Sequence, residues 1–497
     1  MSPSLTTFQQ ALHVFRKDAR EFRLEIAGVL ILTLLLILTG VQSWESLQER
    51  GGPNSDPGEI LGVLLAITWS LLIARVIQAE ALPGDRHFWL TRPYSRTSLV
   101  LSKALFIAVF LNLPLMFAQA MIVSLDGLPL FSNLGGLLWN QVLITVVLFL
   151  PAAAAAVLTR NLAQFVPAAV LTVALMAGPV NEGKVSALGA LEWIRSSLGL
   201  LVAAGIASAV VWRQYRRRQA RTTAFLAVIS AFVGIVLFLG FPHSVAFAIQ
   251  SRLLGSHEGQ FAVQLGPAAP QKPNSKTLNR YRQLLKLPLL ITGADPQNLH
   301  MQSSVVTFKT LAGVTRRARA DVEPTPQGWQ ILTYLDRGFF DSVKNAPVSV
   351  KAEYYLTQFG NTRSTDVPLD GTPVYVDQVG QCGTAPNWDQ RILVCRSAFR
   401  QPRAFFSDRL ASSITGRSLQ SIVGSYSPFP AFVSVHPVFA RTYHLAGEEE
   451  KELAPLAPER PVTLNVHDPV AYFRYTMDIP NVRLADYAAP EAPDDGQ

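Results

Sequence analysis

Charged residues are scarce in this chain, and long apolar runs take their place in its first half. Asp, Glu, Lys and Arg make up 16% of the 497 residues, whereas a soluble globular chain contains about 25%. A bilayer core about 30 Å thick needs about 20 apolar residues of helix. Apolar segments without a central charge occur at 24–41, 60–77, 99–123, 137–158, 162–180, 196–212 and 223–241. The sequence therefore predicts an α-helical polytopic membrane domain of about seven transmembrane helices, residues 24–241.

Motifs of the common hydrolases and nucleotide-binding proteins are also missing. The sequence has neither the H-E-x-x-H of zinc proteases nor the G-x-S-x-G of serine hydrolases. The histidines of its second half are not paired at metal-ligand spacing. Its closest match to a phosphate-binding loop, residues 178–185, ends in Val185 where a Ser or Thr must contact Mg²⁺. We therefore predict no catalytic residue, no metal site and no directly bound cofactor.

Cysteine is rarer still, with only Cys382 and Cys395 in the whole chain. The two residues lie between strand-like runs, which suits a bridge across a long hairpin loop. In the chain-entropy model such a bridge, closing about 14 residues, contributes about 3 kcal/mol. Bridges of this kind persist in oxidising compartments. The alternative, two unrelated free thiols, stays open from the sequence alone.

Basic residues are shared unequally between the two sides of the predicted spans. With the N-terminus inside, the outer loops carry only Arg50, Lys184 and Arg195. Because Lys and Arg favour the cytoplasmic side, this distribution places the N-terminus in the cytoplasm and, after seven spans, the C-terminal half outside. The net charge of +8 thus reflects membrane-flanking loops, and we expect no nucleic-acid partner, which would need a basic face on a folded module. The inner segments carry Arg16, Lys17, Arg20, Arg23, Arg75, Arg86, Arg92, Arg96, Lys103, Arg160, Arg213, Arg216, Arg217, Arg218 and Arg221.

The first 23 residues predict an amphipathic helix that precedes the first span. Apolar residues recur at steps of three and four, and cationic residues lie between them. Such a helix lies flat in the headgroup layer with its cations near anionic lipid, although an ordinary helix packed on protein would show the same pattern. The apolar residues of this interfacial helix are Phe8, Leu12, Phe15 and Phe22.

The loop between the second and third predicted spans combines acids, arginines and aromatics. Pro83 and Gly84 end the second span, and Ser95 is a good N-cap for the third. A short helix under the membrane fits between these two turns. A solvated basic loop would explain the arginines but not the acids, aromatics and prolines. The residues singled out are Glu80, Gly84, Asp85, Arg86, Trp89, Arg92, Pro93, Ser95, Arg96 and Lys103.

With this loop in place, residues 5–212 resemble the permease subunits of ABC-2-type exporters. Those proteins have an amphipathic interfacial helix, six spans and a short coupling helix between spans 2 and 3. In many bacterial members the coupling loop contains a Glu, a Gly-led stretch, a Pro-Ser-Arg-like turn and a later Lys. The corresponding residues here are Glu80, Gly84, Pro93, Ser95, Arg96 and Lys103. The seventh span and the C-terminal half depart from that plan.

The resemblance implies partners and a mechanism. A separate ABC ATPase subunit would bind Mg-ATP, close, and push the 79–92 segment, so that the spans rock between inward and outward states. Two permease copies, as a homodimer or a heterodimer with a homologue, would line the path in the cytoplasmic (inner) membrane. Membrane lipid would be the other partner. The ATPase-coupling role of the loop residues is implied by this resemblance alone.

Four uncharged polar residues fall inside the predicted spans: Asn112, Gln119, Asn140 and Gln141. Such residues form hydrogen bonds between membrane helices, each contributing about 0.6–2 kcal/mol. Helix–helix attachment and contact with a substrate are both consistent with their positions. Charges occur only near span ends, which argues against proton-driven transport and ion conduction.

The second half changes to the period of β-strands. Residues 242–285 read as a connector, and nine runs with alternating apolar residues follow within 286–485. This pattern predicts a mostly β, sandwich-like extracytoplasmic domain. The tail, 486–497, is rich in Pro and Asp, which predicts disorder.

Three functions follow from these features. The first is the permease subunit of an ABC-2-like export system. The second is a membrane-anchored extracytoplasmic binding or sensing protein without transport activity. The third is a membrane enzyme whose site has no recognisable sequence motif.

Overall fold

The computed structural model has a helical first part and a strand-rich second part. Among the described residues, the helices of the first part include α1 Thr7–Glu21, α2 Arg23–Gly40, α3 Pro57–Gln78, α4 Arg96–Leu125, α5 Leu130–Leu158, α6 Glu192–Arg217 and α7 His243–Leu254. Residues 162–170 are helical as well. The structure describes residues 6–41, 57–79, 95–170, 192–217, 242–254, 262–268, 282–293, 299–325, 328–368, 370–377, 380–384, 392–398, 409–411, 418–420, 435–444 and 462–489, with isolated positions between 222 and 232.

Helix starts follow local capping chemistry. Thr6 and Gln9 form a reciprocal capping box at the start of α1, and the Ser95 hydroxyl accepts a hydrogen bond from the Ser98 N–H at the start of α4. Each such contact satisfies a backbone donor that has no partner inside the helix. Ser95 therefore caps the third span, as its sequence context predicted.

Four helices in the described part of the chain are long and apolar enough to cross a membrane. They are Arg23–Gly40, Ile60–Gln78, Arg96–Leu125 and Leu130–Leu158, which confirms the first four predicted segments. The predicted count of seven is not supported. Of the remaining segments, 162–180 and 223–241 extend beyond the described residues. The sixth segment forms α6, which is not among the four and carries charged residues toward both ends, from Glu192 and Arg195 to Arg217.

The two longest spans each contain one π-helical turn immediately before a proline. In α4 the turn is Ala108–Asn112 and Pro114 follows, whereas in α5 the turn is Thr145–Phe149 and Pro151 follows. A proline in a helix lacks an N–H and collides with the carbonyl four residues earlier. The wider π turn moves that carbonyl aside, so each span continues without a break.

The helical bundle has one apolar core, and much of its remaining apolar surface faces outward. Trp69 packs edge-on against Phe149 at 5.5 Å between ring centroids, and both side chains are fully buried. Leu38 and Phe117 are 69% and 61% exposed. In water such a surface would be costly to leave uncovered, whereas lipid chains cover it at no cost.

The second part contains two main antiparallel sheets. A seven-stranded sheet has the order β1-β2-β5-β4-β3-β6-β13, and a four-stranded sheet has the order β12-β9-β8-β7. The strands are β1 Ala262–Leu265, β2 Arg282–Thr292, β3 Leu299–Thr310, β4 Thr315–Thr325, β5 Gly328–Asp336, β6 Pro347–Val367, β7 Val374–Val376, β8 Gly380–Thr384, β9 Ile392–Ala398, β10 Arg409–Ala411, β11 Ser418–Gln420, β12 Val438–His444 and β13 Val462–Arg483. The predicted mostly β domain is confirmed in this form, and its sheet extends into the predicted connector through β1.

The core of the larger sheet is enclosed by that one sheet rather than by two facing sheets. Its buried residues come from the seven strands, from the short helix α8 (Arg337–Val343) and from the turn Leu484–Tyr487. The two edge strands approach each other, since the Tyr475 hydroxyl lies 3.4 Å from both the amide nitrogen and the carbonyl oxygen of Val263. The core therefore lies inside one curled sheet and not, as the sandwich prediction would have it, between two facing sheets.

The four-stranded sheet is joined by a disulfide between Cys382 and Cys395. The two residues lie directly opposite each other on the paired strands β8 and β9, and both are fully buried. The predicted bridge is therefore confirmed, and it links two strands of one hairpin.

The buried hydroxyl of Tyr354, on strand β6, provides a test of the packing inside the curled sheet. Its hydroxyl is buried and has no hydrogen-bond partner among the described residues. Burial, with a smaller effect from Tyr475, raises the pKa of Tyr354 above its usual range. Because an unsatisfied buried hydroxyl costs about 1–3 kcal/mol, we expect Tyr354→Phe to raise the thermal unfolding midpoint of this part by about 2–4 °C, measured in detergent.

The half-buried Tyr334, replaced in the same way, is the control and should leave the midpoint unchanged. The raised pKa gives a second signature. Native Tyr354 stays protonated above pH ~10, where an unfolded tyrosine ionises, so stability should fall there as pH rises. Tyr354→Phe should reduce that fall. A lower midpoint for Tyr354→Phe would contradict the assignment of an unsatisfied hydroxyl.

Candidate functional site

Polar contacts concentrate at the two ends of the helical bundle. One end carries Arg23, Arg75, Arg96 and Arg160 at helix termini, and we call it the basic end. The opposite end contacts the strand-rich part, and we call it the β-facing end. Both ends are built from residues that lie far apart in the sequence.

At the basic end, α1 packs against α4 through a buried ion pair. Ala11, Val14 and Asp18 form the buried face of α1 at steps of three and four. The Asp18 carboxylate lies 2.8 Å from Lys103 Nζ, and the two side chains are 0% and 6% exposed. Two buried charges are tolerated only when each compensates the other. The pair therefore fixes both the position and the rotation of α1.

The aromatic residues predicted for the interfacial helix divide between two environments. Phe15 stacks on Phe110 at 5.5 Å, and Phe22 is buried in the bundle core. Leu12 is half-buried, and Phe8 is 61% exposed. The helix thus packs on protein through one face and leaves Phe8 outward. Its location in a lipid headgroup layer stays a prediction.

The first residues of α4 are held by two other helices. The Ser95 N–H donates to the Gln10 side chain of α1 at 3.1 Å. The Arg96 guanidinium donates to the Arg216 carbonyl of α6 at 2.6 Å. Of the predicted coupling residues, Ser95, Arg96 and Lys103 therefore all join α4 to neighbouring helices. Glu80, Gly84, Asp85, Arg86, Trp89, Arg92 and Pro93 lie outside the described residues.

The residues that precede the 80–94 segment are also held by other parts of the bundle. Gln78, at the end of α3, donates to the Thr159 hydroxyl beyond α5 at 2.9 Å. Arg75 pairs with Glu25 of α2 and lies over the Phe22 ring at 5.7 Å. Both flanks of the 80–94 segment are consequently fixed to other helices, with Gln78 on one side and Ser95 on the other.

At the β-facing end, a second buried ion pair joins the bundle to the four-stranded sheet. Arg396 of β9 lies 2.9 Å from Asp126, which follows α4, and the side chains are 3% and 0% exposed. Beside this pair, Ala398 packs against Val123, Leu128 and Leu137. Each part thus supplies a charged partner for a buried charge of the other part.

Residues 435–438 enter the bundle next to that pair, and we call this segment the wedge. Val435 belongs to the apolar core of the helices, and its carbonyl accepts from the Gln119 amide at 2.8 Å. His436 Nε2 lies 2.7 Å from the Gly40 carbonyl, and Nδ1 lies 2.9 Å from the Val438 carbonyl. The strand-rich part is therefore attached to α2 and α4 by hydrogen bonds as well as by charge.

A row of polar side chains continues from the wedge toward the middle of the spans. The Gln141 side-chain amide donates to Gln119 Oε1 at 2.9 Å. The Thr145 hydroxyl lies within donating distance of the Gln141 carbonyl oxygen, at 2.8 Å, and of Asn112 Oδ1, at 3.2 Å. Gln119 and Gln141 thus attach α4 to α5, one of the two roles left open by the sequence. The row ends where Asn112 of one π turn meets Thr145 of the other.

Asn140 behaves differently from the other three predicted polar residues. Its side chain is 1% exposed, and neither amide atom has a hydrogen-bond partner in the described part of the chain. An unsatisfied buried amide costs about 1–3 kcal/mol for each group. Contact with a polar substrate or water is the role still open for this residue.

The described residues contain no group of three or more His, Cys, Asp or Glu side chains that could hold a metal ion. No protein-family model, no curated protein and no solved structure matches this chain. The resemblance to ABC-2-type permeases therefore stays a prediction.

Several residues at the two ends were not singled out from the sequence. Asp126 had a usable signal, because it is the only charged residue between Lys103 and Arg160. Asp18 had a weaker one, since it follows Ala11 and Val14 at helical spacing. Arg396 and His436 had none, because their partners are defined only by the folded chain.

The buried pair of the basic end gives a direct test. Lys103→Met leaves Asp18 buried without its counter-charge, and we expect a loss of about 3–5 kcal/mol of stability. The double variant Asp18→Leu with Lys103→Met should recover most of that loss, because neither buried charge of the pair remains. Thermal unfolding in detergent measures both.

The matched control is the exposed pair Lys17–Glu21, whose nitrogen and oxygen are 3.7 Å apart with side chains about half exposed. Lys17→Met should cost at most about 1 kcal/mol. Equal effects of Lys17→Met and Lys103→Met would contradict the role assigned to the buried pair.

Proposed function

We propose that this protein is the membrane subunit of an ABC-2-like export system, driven by a separate ATPase chain that acts at the basic end. The observation that carries the proposal is the attachment of both flanks of the 80–94 segment to other helices, through Gln78–Thr159 and Ser95–Gln10. A force applied to this segment is thereby transmitted to α1, α3, α4 and α5 together.

Transmission along α4 follows from its geometry. The helix spans Arg96–Leu125 without interruption, a length of about 45 Å at 1.5 Å per residue. It begins beside the 80–94 segment and ends beside Asp126, the partner of Arg396. Movement at the basic end is therefore expected to reach the β-facing end through a single element, which can bend at its π turn.

The proposed assembly requires other molecules. ATP hydrolysis, with Mg-ATP as the cofactor, belongs to the partner ATPase, because this sequence lacks a phosphate-binding loop of its own. A homodimer or a heterodimer of permease chains would form the path in the cytoplasmic membrane. The N-terminus would be cytoplasmic and the strand-rich part extracytoplasmic, as the distribution of basic residues predicts.

A second candidate is a membrane-anchored extracytoplasmic binding or sensing protein. It is favoured by the buried contact between Arg396 and Asp126, which fixes the strand-rich part firmly to the helices. In that case the helices serve as an anchor, and the basic end has no ATPase partner. Isolation of the protein with or without a nucleotide-binding subunit separates the two candidates.

Copurification tests the first candidate. We expect the protein solubilised in mild detergent to retain an ATPase subunit. Joint charge reversal at Glu80, Asp85 and Arg86 should reduce the retained ATPase at least tenfold, because the predicted contact surface would then repel its partner. Quantitative mass spectrometry of the eluate provides the measurement.

Arg317→Glu, at an exposed position of β4, is the matched control and should leave retention unchanged. If no ATPase is retained by the unaltered protein, or if both variants behave alike, the transport assignment fails and the anchored binding protein is favoured.

Topology is tested separately. A reporter enzyme active only in the cytoplasm, fused after residue 260, should show no activity, since the strand-rich part is predicted to be outside. The same reporter fused before residue 6 should be active. Activity after residue 260 would overturn the predicted side of the strand-rich part.

A further inference from the structure

The wedge is seated where two glycines leave space at the β-facing ends of the spans. A side-chain carbon built on Gly62 of α3 would lie 3.5 Å from Val435 Cβ. One built on Gly40 of α2 would lie 2.9 Å from Ile122 Cδ1 and 3.1 Å from His436 Nε2. Small residues allow close approach between helices and neighbouring backbone. The wedge thus occupies a position that larger residues would close.

Hydrogen bonds hold the wedge to the same helices. Gln119 of α4 donates to the Val435 carbonyl, and His436 Nε2 lies within hydrogen-bond distance of the Gly40 carbonyl. Buried polar groups lose free energy when their partners leave without replacement. Withdrawal of the wedge therefore requires new partners for groups on both α2 and α4.

The wedge is continuous with the four-stranded sheet. It leads directly into β12, which pairs with β9. Strand β9 carries both Cys395, bonded to Cys382, and Arg396, paired with Asp126. The four-stranded sheet and the wedge consequently move as one element, held to the bundle by the Arg396–Asp126 pair.

Removal of the wedge would uncover the polar row behind it. The Gln119 amide nitrogen would lose its acceptor, the Val435 carbonyl. The neighbouring Gln141 Oε1 is already without a hydrogen-bond partner among the described residues. A donor and an acceptor would then face the opening, a combination that suits a neutral hydroxyl or amide group.

We propose that the wedge is a plug that closes the β-facing end of the bundle between α2, α3 and α4. Withdrawal of the plug, together with the four-stranded sheet, opens that end to the polar row of Gln119, Gln141, Thr145 and Asn112. The seating of the plug is independent of the protein's activity, whereas its role as a gate rests on the proposed transport function.

An engineered disulfide tests the seating. Disulfides require Cβ atoms about 3.5–4.5 Å apart, and Gly62→Cys with Val435→Cys meets that requirement. The two native cysteines are bonded to each other, so the new thiols should pair and resist a maleimide that shifts gel mobility. Gly205→Cys with Val435→Cys is the matched control, because nothing lies within 4 Å of a side-chain carbon at Gly205. Equal labelling of the two pairs would overturn the seating.

Thiol accessibility tests the closure without any assay of transport. In nanodiscs, Gln141→Cys should react slowly with a small water-soluble thiol reagent. Exchanging the charges of the Asp126–Arg396 pair, with Asp126→Arg and Arg396→Asp, should keep the plug seated. Asp126→Lys alone places two cations side by side in a buried position and should release the plug. The reaction rate at Gln141→Cys should then rise at least tenfold. An unchanged rate would overturn the plug.

A transport assay then separates the plug from the proposed function. Oxidised Gly62→Cys/Val435→Cys protein should transport at least tenfold more slowly than the same protein after reduction, while the control pair is unaffected. Equal transport in both states would overturn the gating role. Absence of transport in every form, including the unaltered protein, would refute the proposed function, and the accessibility result would still decide whether the plug closes the bundle.

Discussion

The interior of a bilayer offers no hydrogen-bond partner and no counter-charge, and the architecture of this protein follows from that constraint. A charged group placed among the apolar helices is therefore strongly favoured to find its partner within the chain. Asp18 pairs with Lys103 at the basic end, and Asp126 pairs with Arg396 at the β-facing end. Each pair joins elements that hydrophobic contact alone would leave free to slide, because lipid tails and leucine side chains are equally apolar.

Between the two ion pairs, α4 connects the basic end of the bundle with the β-facing end. Its first turn contacts α1 and α6. Its centre carries a π turn whose Asn112 is hydrogen-bonded to Thr145 of α5, and its C-terminal part contacts the wedge through Gln119. Asp126 lies just beyond its end. A long helix is stiff between its ends, whereas a π turn before a proline lacks the regular hydrogen-bond ladder and is the natural place to bend. Helix α4 is thus long enough to connect the two ends of the bundle, and its π turn is the position at which it can bend.

Hydropathy was sufficient to predict the first four spans, and the period-2 alternation predicted the strand-rich second half. The position of Cys382 and Cys395 between strand-like runs suggested their bridge but left two free thiols as an alternative. Hydropathy alone did not settle the rest. It was insufficient for the number of spans, because an apolar run such as 196–212 carries the same average signal whether its helix crosses a bilayer or not. The sequence also did not predict the curled sheet. Alternation of apolar and polar residues indicates that one face of a strand is buried, but it does not indicate which element covers that face. Asp126 was not singled out, although it is the only charged residue between Lys103 and Arg160. Its partner Arg396 could not be identified, because the pairing depends on how two distant parts of the chain meet.

The Asp126–Arg396 pair has a consequence for the order of synthesis. Asp126 is synthesised long before Arg396, so the helices are made before their buried cationic neighbour exists. The contact between the two side chains can form only once β9 has been made. Packing at this end of the bundle is therefore completed by the last third of the polypeptide, although the helices themselves belong to the first half.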